Sequence, residues 1–186
     1  DDDASAEALA PDAAAGGTAD AAPERWYGEV AMLGDALSRD IEGVTRRHAA
    51  RLRADRLLPN LGALPEAQVR DHTGTIVCEV AHLLVAIGET AGRAPELLRD
   101  GSEILRLVAE LHGAQRHRLG WSEPHFAHEA ELLCEEVVGT LRHAAAEGTP
   151  DGRALAHATV LVRRLLEQAR QTSIRGLHIA QVVAAT

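Results

Sequence analysis

The sequence predicts an all-α protein: a bundle of about five helices, four of them packed in antiparallel fashion through short loops, behind a disordered acidic N-terminal tail. Three observations carry this reading. Apolar residues recur at three- and four-residue spacing through five segments, the rhythm of a helix with one buried face. Pro and Gly separate those segments. Alternating β-branched runs and hairpin turn pairs are absent. The chain has 186 residues with 46% hydrophobic content, enough to bury a core, yet aromatics make up only 2%. The core must therefore be built from Leu, Val, Ile and Ala, which suits close-packed helices.

Residues 1–23 are Ala, Asp, Gly and Pro with almost no large apolar side chain. Such a segment buries too little surface to offset its ordering entropy, so it is expected to be a mobile tail. The bundle is expected over residues 24–170 and a connector helix over residues 171–186. The first long helix is predicted over about 23–57, with Pro23 in its first turn and Val30, Leu33, Leu37, Ile41, Val44 and His48 on one face. Gly28, Gly34 and Gly43 weaken it, so a kink or a split is expected. The second helix starts near Pro65 and ends near Gly92, with Val69, Ile76, Val80, Leu83, Leu84 and Ile87 as its core stripe.

The third helix runs from near Pro95 to Gly120, with Ile104, Leu105, Val108 and Leu111 on its apolar face. Gly120 is placed as the left-handed residue just past the helix end, and Ser122 caps the fourth helix. Phe126, Leu133, Val137 and Leu141 line the inner face of that helix. The last helix begins near Asp151, with Leu155, Val162, Leu165, Leu166 and Ala169 on its core side. Beyond them Ser173, Gly176 and Ala180 form a small-residue seam, suited to close approach of a second helix. A helix that outlasts its bundle is expected to find that partner in a second copy, which makes the seam a candidate dimer contact and connector.

Charge narrows the function classes. Net charge is −9, but residues 1–24 hold seven acids and no base, leaving 21 acids against 19 arginines in the rest. No basic face argues for nucleic acid. No signal peptide or uninterrupted apolar run of about 18 residues is visible, so a cytoplasmic protein that does not enter the membrane is expected. Every basic side chain other than His is Arg, a bias of GC-rich bacterial genomes. Cys78 and Cys134 lie far apart on predicted buried faces and read as reduced core thiols.

The chemistry-bearing residues concentrate around one turn. His112 and Arg116 are four apart and share a helix face. Glu129 lies nine residues past Gly120, about two turns into the next helix, where it can pair with Arg116 across the two helices, with His112 one turn deeper. Such a pair either fixes helix register or acts as a polar switch.

The ten histidines raise a metal or haem alternative. Glu79-Val-Ala-His82 is one Glu-x-x-His unit, but a di-iron bundle needs a second, which is absent. His125 and Glu129 offer two ligands one turn apart, too few for a site. The histidines are therefore expected on helix surfaces. A haem pocket wants large aromatic walls, and the chain has one Phe. Gly-x-Ser-x-Gly, phosphate-binding Gly loops and Cys-x-x-Cys are all missing, so no enzyme chemistry, cofactor or metal is expected.

The stretch His112, Arg116, Gly120, Glu129, Leu132 and Leu133, with Asp55 through Pro59, Leu64-Pro65 and Asp71-His72 upstream, resembles the helical N-terminal domain of RsbT co-antagonist (RsbR/RsbD-type) proteins. Related modules are input domains of bacterial sensor histidine kinases. The similarity covers roughly residues 26–145. It departs from the pattern near His48–Leu52, which lacks a tryptophan, and at Cys134, where an Arg is common. The resemblance implies a non-catalytic sensory or regulatory domain, dimeric, placed ahead of a STAS, PAS, GAF or kinase output module. It also implies a polar cluster of Asp71, His72, His112, Arg116 and Glu129. Some RsbR-type domains have a globin-like fold, which is what keeps a haem- or metal-binding redox or gas sensor as the rival reading.

Overall fold

The computed structural model describes residues 21–62, 64–91, 93, 95–148 and 151–185. Among them the only regular structure is helical: α1 (Ala21–Arg39), α2 (Ile41–Ala54), α3 (Glu66–Arg70), α4 (Thr73–Thr90), α5 (Pro95–Arg118), α6 (Glu123–Gly148) and α7 (Gly152–Ala184). The first helix begins at Ala21, two residues before the predicted start. The tail expected over 1–23 otherwise lies outside the described residues.

Seven helices replace the expected five because two predicted helices each break at an aspartate. The first breaks at Asp40 (φ −110°, ψ 15°), between α1 and α2. Its carboxylate accepts from Arg47 at 3.0 Å and from Thr140 at 3.3 Å. One carboxylate oxygen lies 2.0 Å from where a Cβ on Gly43 would stand, so glycine leaves the room for this turn. Gly34, expected to weaken the helix, is instead a contact point: a Cβ there would lie 2.9 Å from the Ala81 carbonyl of α4. The second break is at Asp71, between α3 and α4.

α4 packs on α1, α5, α7 and α2, while α6 lies against α7, α2 and α1. By length and composition α4 alone among the described helices could cross a bilayer, with mean hydropathy 1.2 over its 18 residues, and 44% of that span is buried inside the bundle. Two apolar clusters result. The larger includes Val30, Leu37, Val80, Leu84, Leu141 and Val162. The smaller gathers Leu52, Leu61, Val69, Trp121, Phe126 and Leu177, using two of the chain's four aromatics. The predicted core faces of α4 and α6 are buried except for the half-buried Ile87, whereas Ile104 and Leu111 of α5 are exposed. Both continue the apolar stripe in the sequence, but Leu105, Ala109 and His112 are the residues that turn inward.

The small-residue seam of α7 meets its own chain. Gly113 of α5 faces Ser173, where a Cβ would fall 1.9 Å from the Ser173 carbonyl oxygen. Gly176 faces Glu110, with 2.2 Å to its carbonyl oxygen. Ser173 and Gly176 are therefore buried against α5, while Ala180, with Gly176 at its edge, lines a surface groove. The spacing anticipated a close helix contact; the length of α5 supplies the partner.

Cys78 and Cys134 are free and partly exposed rather than fully buried. Desolvation raises the pKa of each thiol, assisted at Cys78 by Glu79.

Candidate functional site

The site begins at the end of α5. Gly120 takes φ +78°, the left-handed conformation expected of it. The Gly120 N–H donates to the His117 carbonyl at 2.8 Å, and the Trp121 N–H donates to the Arg116 carbonyl at 3.2 Å. These two bonds are the Schellman pattern that closes a helix. Trp121 consequently folds back over the Arg116 guanidinium, 5.0 Å from ring centroid to Cζ. α6 starts immediately, with the Ser122 N–H donating to His125 Nδ1 at 2.9 Å, the return half of a capping box. Ser122 thus stands just before α6, where the cap is expected, and is tied to the His125 ring through its N–H and its hydroxyl, so His125 is used there instead of beside Glu129.

This tight reversal brings α5 and α6 together at Arg116 and Glu129. Arg116, 0% exposed, donates from Nη2 and Nε to Glu129 Oε1 at 2.9 and 3.2 Å. Nη2 also donates to the Val69 carbonyl of α3 at 2.9 Å. The other carboxylate oxygen, Oε2, lies 2.8 Å from His112 Nε2. Burial alone would raise the Glu129 pKa, but the pull of His112 and Arg116 beside it and the His112 hydrogen bond hold it far below the usual carboxylate range.

His48, from α2, completes this buried group. Its Nε2 lies 3.4 Å from the Glu129 carbonyl. Burial drives its pKa down to about 4, against the opposing pull of Glu129, so the ring is neutral at pH 7. A cavity of about 30 Å³ sits between His48, His112, Phe126 and Glu129, where the two apolar clusters meet.

Asp71 and His72 stand on the other side of His112. Asp71 closes α3, its N–H donating to the Ala67 carbonyl at 2.9 Å, with φ 23° and ψ −121°. A non-glycine residue held there is strained, and such strain concentrates at functional sites. His72 begins α4, and its ring stands 6.3 Å from that of His112, edge to face. Asp71 Oδ2 and His72 Nδ1 are in close contact. Both of these atoms are buried, and so is His112 Nδ1, which has no hydrogen-bond partner among the described residues.

The chain matches no family model, no curated protein and no solved structure. The resemblance to RsbR/RsbD-type domains therefore rests on the quoted residues alone. Five of them, Asp71, His72, His112, Arg116 and Glu129, form one contiguous cluster, with Gly120 shaping the turn beside it. Ser173 lines the small cavity, while Gly176 and Ala180 lie along the α5–α7 contact.

His48 was legible as a position on the apolar stripe of the first predicted helix, but its polar role was not, because its partner is a backbone carbonyl 81 residues away. The expectation of surface histidines fails at His48 and His112, which are 1% and 5% exposed. Cys78, Glu79 and His82 also come within ligand distance of one another, but on one turn of α4 with His82 facing solvent. The histidine-lined cavity of about 30 Å³ has room for a water molecule and is far too small for a porphyrin. A haem does not fit between these histidines.

Proposed function

We propose that this chain is a non-catalytic sensory or regulatory input domain of a bacterial signalling protein, of the stressosome or sensor-kinase type. In this reading an antiparallel four-helix core carries the signal through helix packing and dimerisation to a downstream output module, in the cytoplasm. The observation that supports it best is the desolvated Arg116–Glu129–His112 network, which ties α3, α5 and α6 to one another and reaches α2 through His48. A buried ionic network stabilises little relative to apolar packing, but it permits only discrete arrangements and so makes a two-state joint. The groove of Leu107, Leu111, Ile179, Ala180 and Val183 is the apolar edge on which dimerisation is proposed.

Glu129→Gln tests this reading, because it keeps the side chain's shape and removes its charge. Hydrogen exchange should speed up along both α5 and α6, and sedimentation equilibrium should show a changed monomer–dimer balance. A variant that loses stability evenly across the bundle, with unchanged association, would reduce the network to a structural pair and sink the proposal.

A further inference from the structure

We propose that Asp71, His72 and His112 form a binding site for a divalent first-row transition-metal ion. Their ligand atoms lie within 4.8 Å of one another and come from two separate elements, the α3–α4 junction and the inner face of α5. His112 Nδ1 is a buried atom without a hydrogen-bond partner among the described residues, and Asp71 Oδ2 and His72 Nδ1, likewise buried, meet each other. Unmade hydrogen bonds at buried polar atoms are costly and call for an explanation. A cation held by this group would give His112 Nδ1 a partner and replace the proton shared in the Asp71–His72 contact.

The orientation of His112 supports the assignment. Its side chain is 6% exposed, and its Nε2 faces Glu129 Oε2. Glu129 already accepts from Arg116, so it acts as a carboxylate and Nε2 is the donor. In the neutral imidazole this leaves a lone pair on Nδ1, the buried nitrogen without a hydrogen-bond partner. A ligating histidine whose other nitrogen donates to a carboxylate is the usual outer-shell arrangement at metal sites. The backbone of Asp71, strained at φ 23°, holds its carboxylate at this junction.

Two imidazoles and one carboxylate suit zinc, cobalt or iron(II) better than calcium or magnesium, which prefer oxygen. Three protein ligands leave coordination positions for water or a small exchangeable ligand. The binding claim stands on geometry. That the ion serves as the input of the domain rests on the reading under Proposed function, since the ion would act on Glu129 and Arg116 through His112.

The test is titration of the full chain with Co²⁺ and Zn²⁺. Wild type should bind one equivalent of Co²⁺ with a visible d–d band that Zn²⁺ displaces. His72→Ala and Asp71→Asn should each weaken binding by about tenfold or more. Both residues are partly exposed, so helix content should persist in both variants. His82→Ala, which disables the competing Cys78–Glu79–His82 group, should leave the band unchanged. No band, or one that survives both ligand variants, overturns the proposal. A metal-bound protein whose hydrogen exchange in α5 and α6 matches the metal-free form keeps the site and removes the input role.

Discussion

Nε2 of His112 and Oε2 of Glu129 stand 2.8 Å apart, with both side chains only 6% exposed. Glu129 therefore has a partner on each of its oxygens: Arg116 on one, His112 on the other. Removing either partner strands a charge or a donor where water is scarce.

Arg116→Ala should accordingly cost about 3–5 kcal/mol of stability, the usual penalty for leaving the other half of a buried pair uncompensated. Arg153, exposed in the first turn of α7, provides the comparison. Arg153→Ala should stay within about 0.5 kcal/mol of wild type. Urea unfolding of both variants measures the contrast, and equal small losses would contradict the burial of the pair.

His48 makes stability fall in mild acid. Its folded pKa of about 4 lies below its ordinary value of 6.5, so between those values the unfolded chain binds the proton and the folded chain does not. Above pH 6.5 the group is neutral in both states and makes no difference. As pH falls from 6.5 toward 4 the folded state loses ground, reaching about 2 kcal/mol at pH 5. His48→Gln should flatten this part of the profile, as read from denaturant midpoints across pH 4.5–7.5. An unchanged slope would show that another group titrates there.

Glycines on the helices should divide into two classes. A Cβ at Gly176 would stand 2.2 Å from the Glu110 carbonyl oxygen, a backbone atom that cannot swing away, while a Cβ at Gly139 meets nothing within 4 Å. Gly176→Ala should force α7 off α5 and lower the melting temperature by many degrees. Gly139→Ala, in the middle of α6, should stabilise by about 0.5–1 kcal/mol through helix propensity. Thermal melts of the two variants that moved in the same direction would contradict this packing.

Gly120→Ala isolates the backbone term of the turn. The nearest atom to an added Cβ is Asn60 Nδ2 at 3.8 Å, an ordinary contact, so the cost is that of holding alanine at φ +78°. It should be about 1–2 kcal/mol. Chemical denaturation checks it; a neutral result would mean that the turn relaxes to another closure.

Periodicity and helix-stop chemistry made most of the bundle legible in the sequence. The Arg116–Glu129 pair followed from the four-residue spacing of His112 and Arg116 and the short turn at Gly120. A split of the first helix is expected from its glycines, but its position at Asp40 escaped, as did the break at Asp71, because the apolar stripe runs through both. Asp40 breaks its helix for partners on α2 and α6, contacts that local pattern does not encode. The burial of Ser173 and Gly176 against α5 was misassigned to a second copy for a related reason: small residues announce a close approach without naming the neighbour. The meeting of Asp71, His72 and His112 was accessible only through the family resemblance, since roughly 40 residues separate its halves.

Trp121, stacked on the Arg116 guanidinium and donating its indole N–H to the Pro59 carbonyl at 3.2 Å, gives the protein an internal optical probe. It is 2% exposed, whereas the other indole, Trp26, is stacked on Tyr27 at the α1 end of the larger cluster. A shift of the Arg116 guanidinium changes the field across one indole and leaves the other untouched. With Trp26→Phe in place, emission wavelength and quenching report the α5–α6 joint alone, without any attached dye.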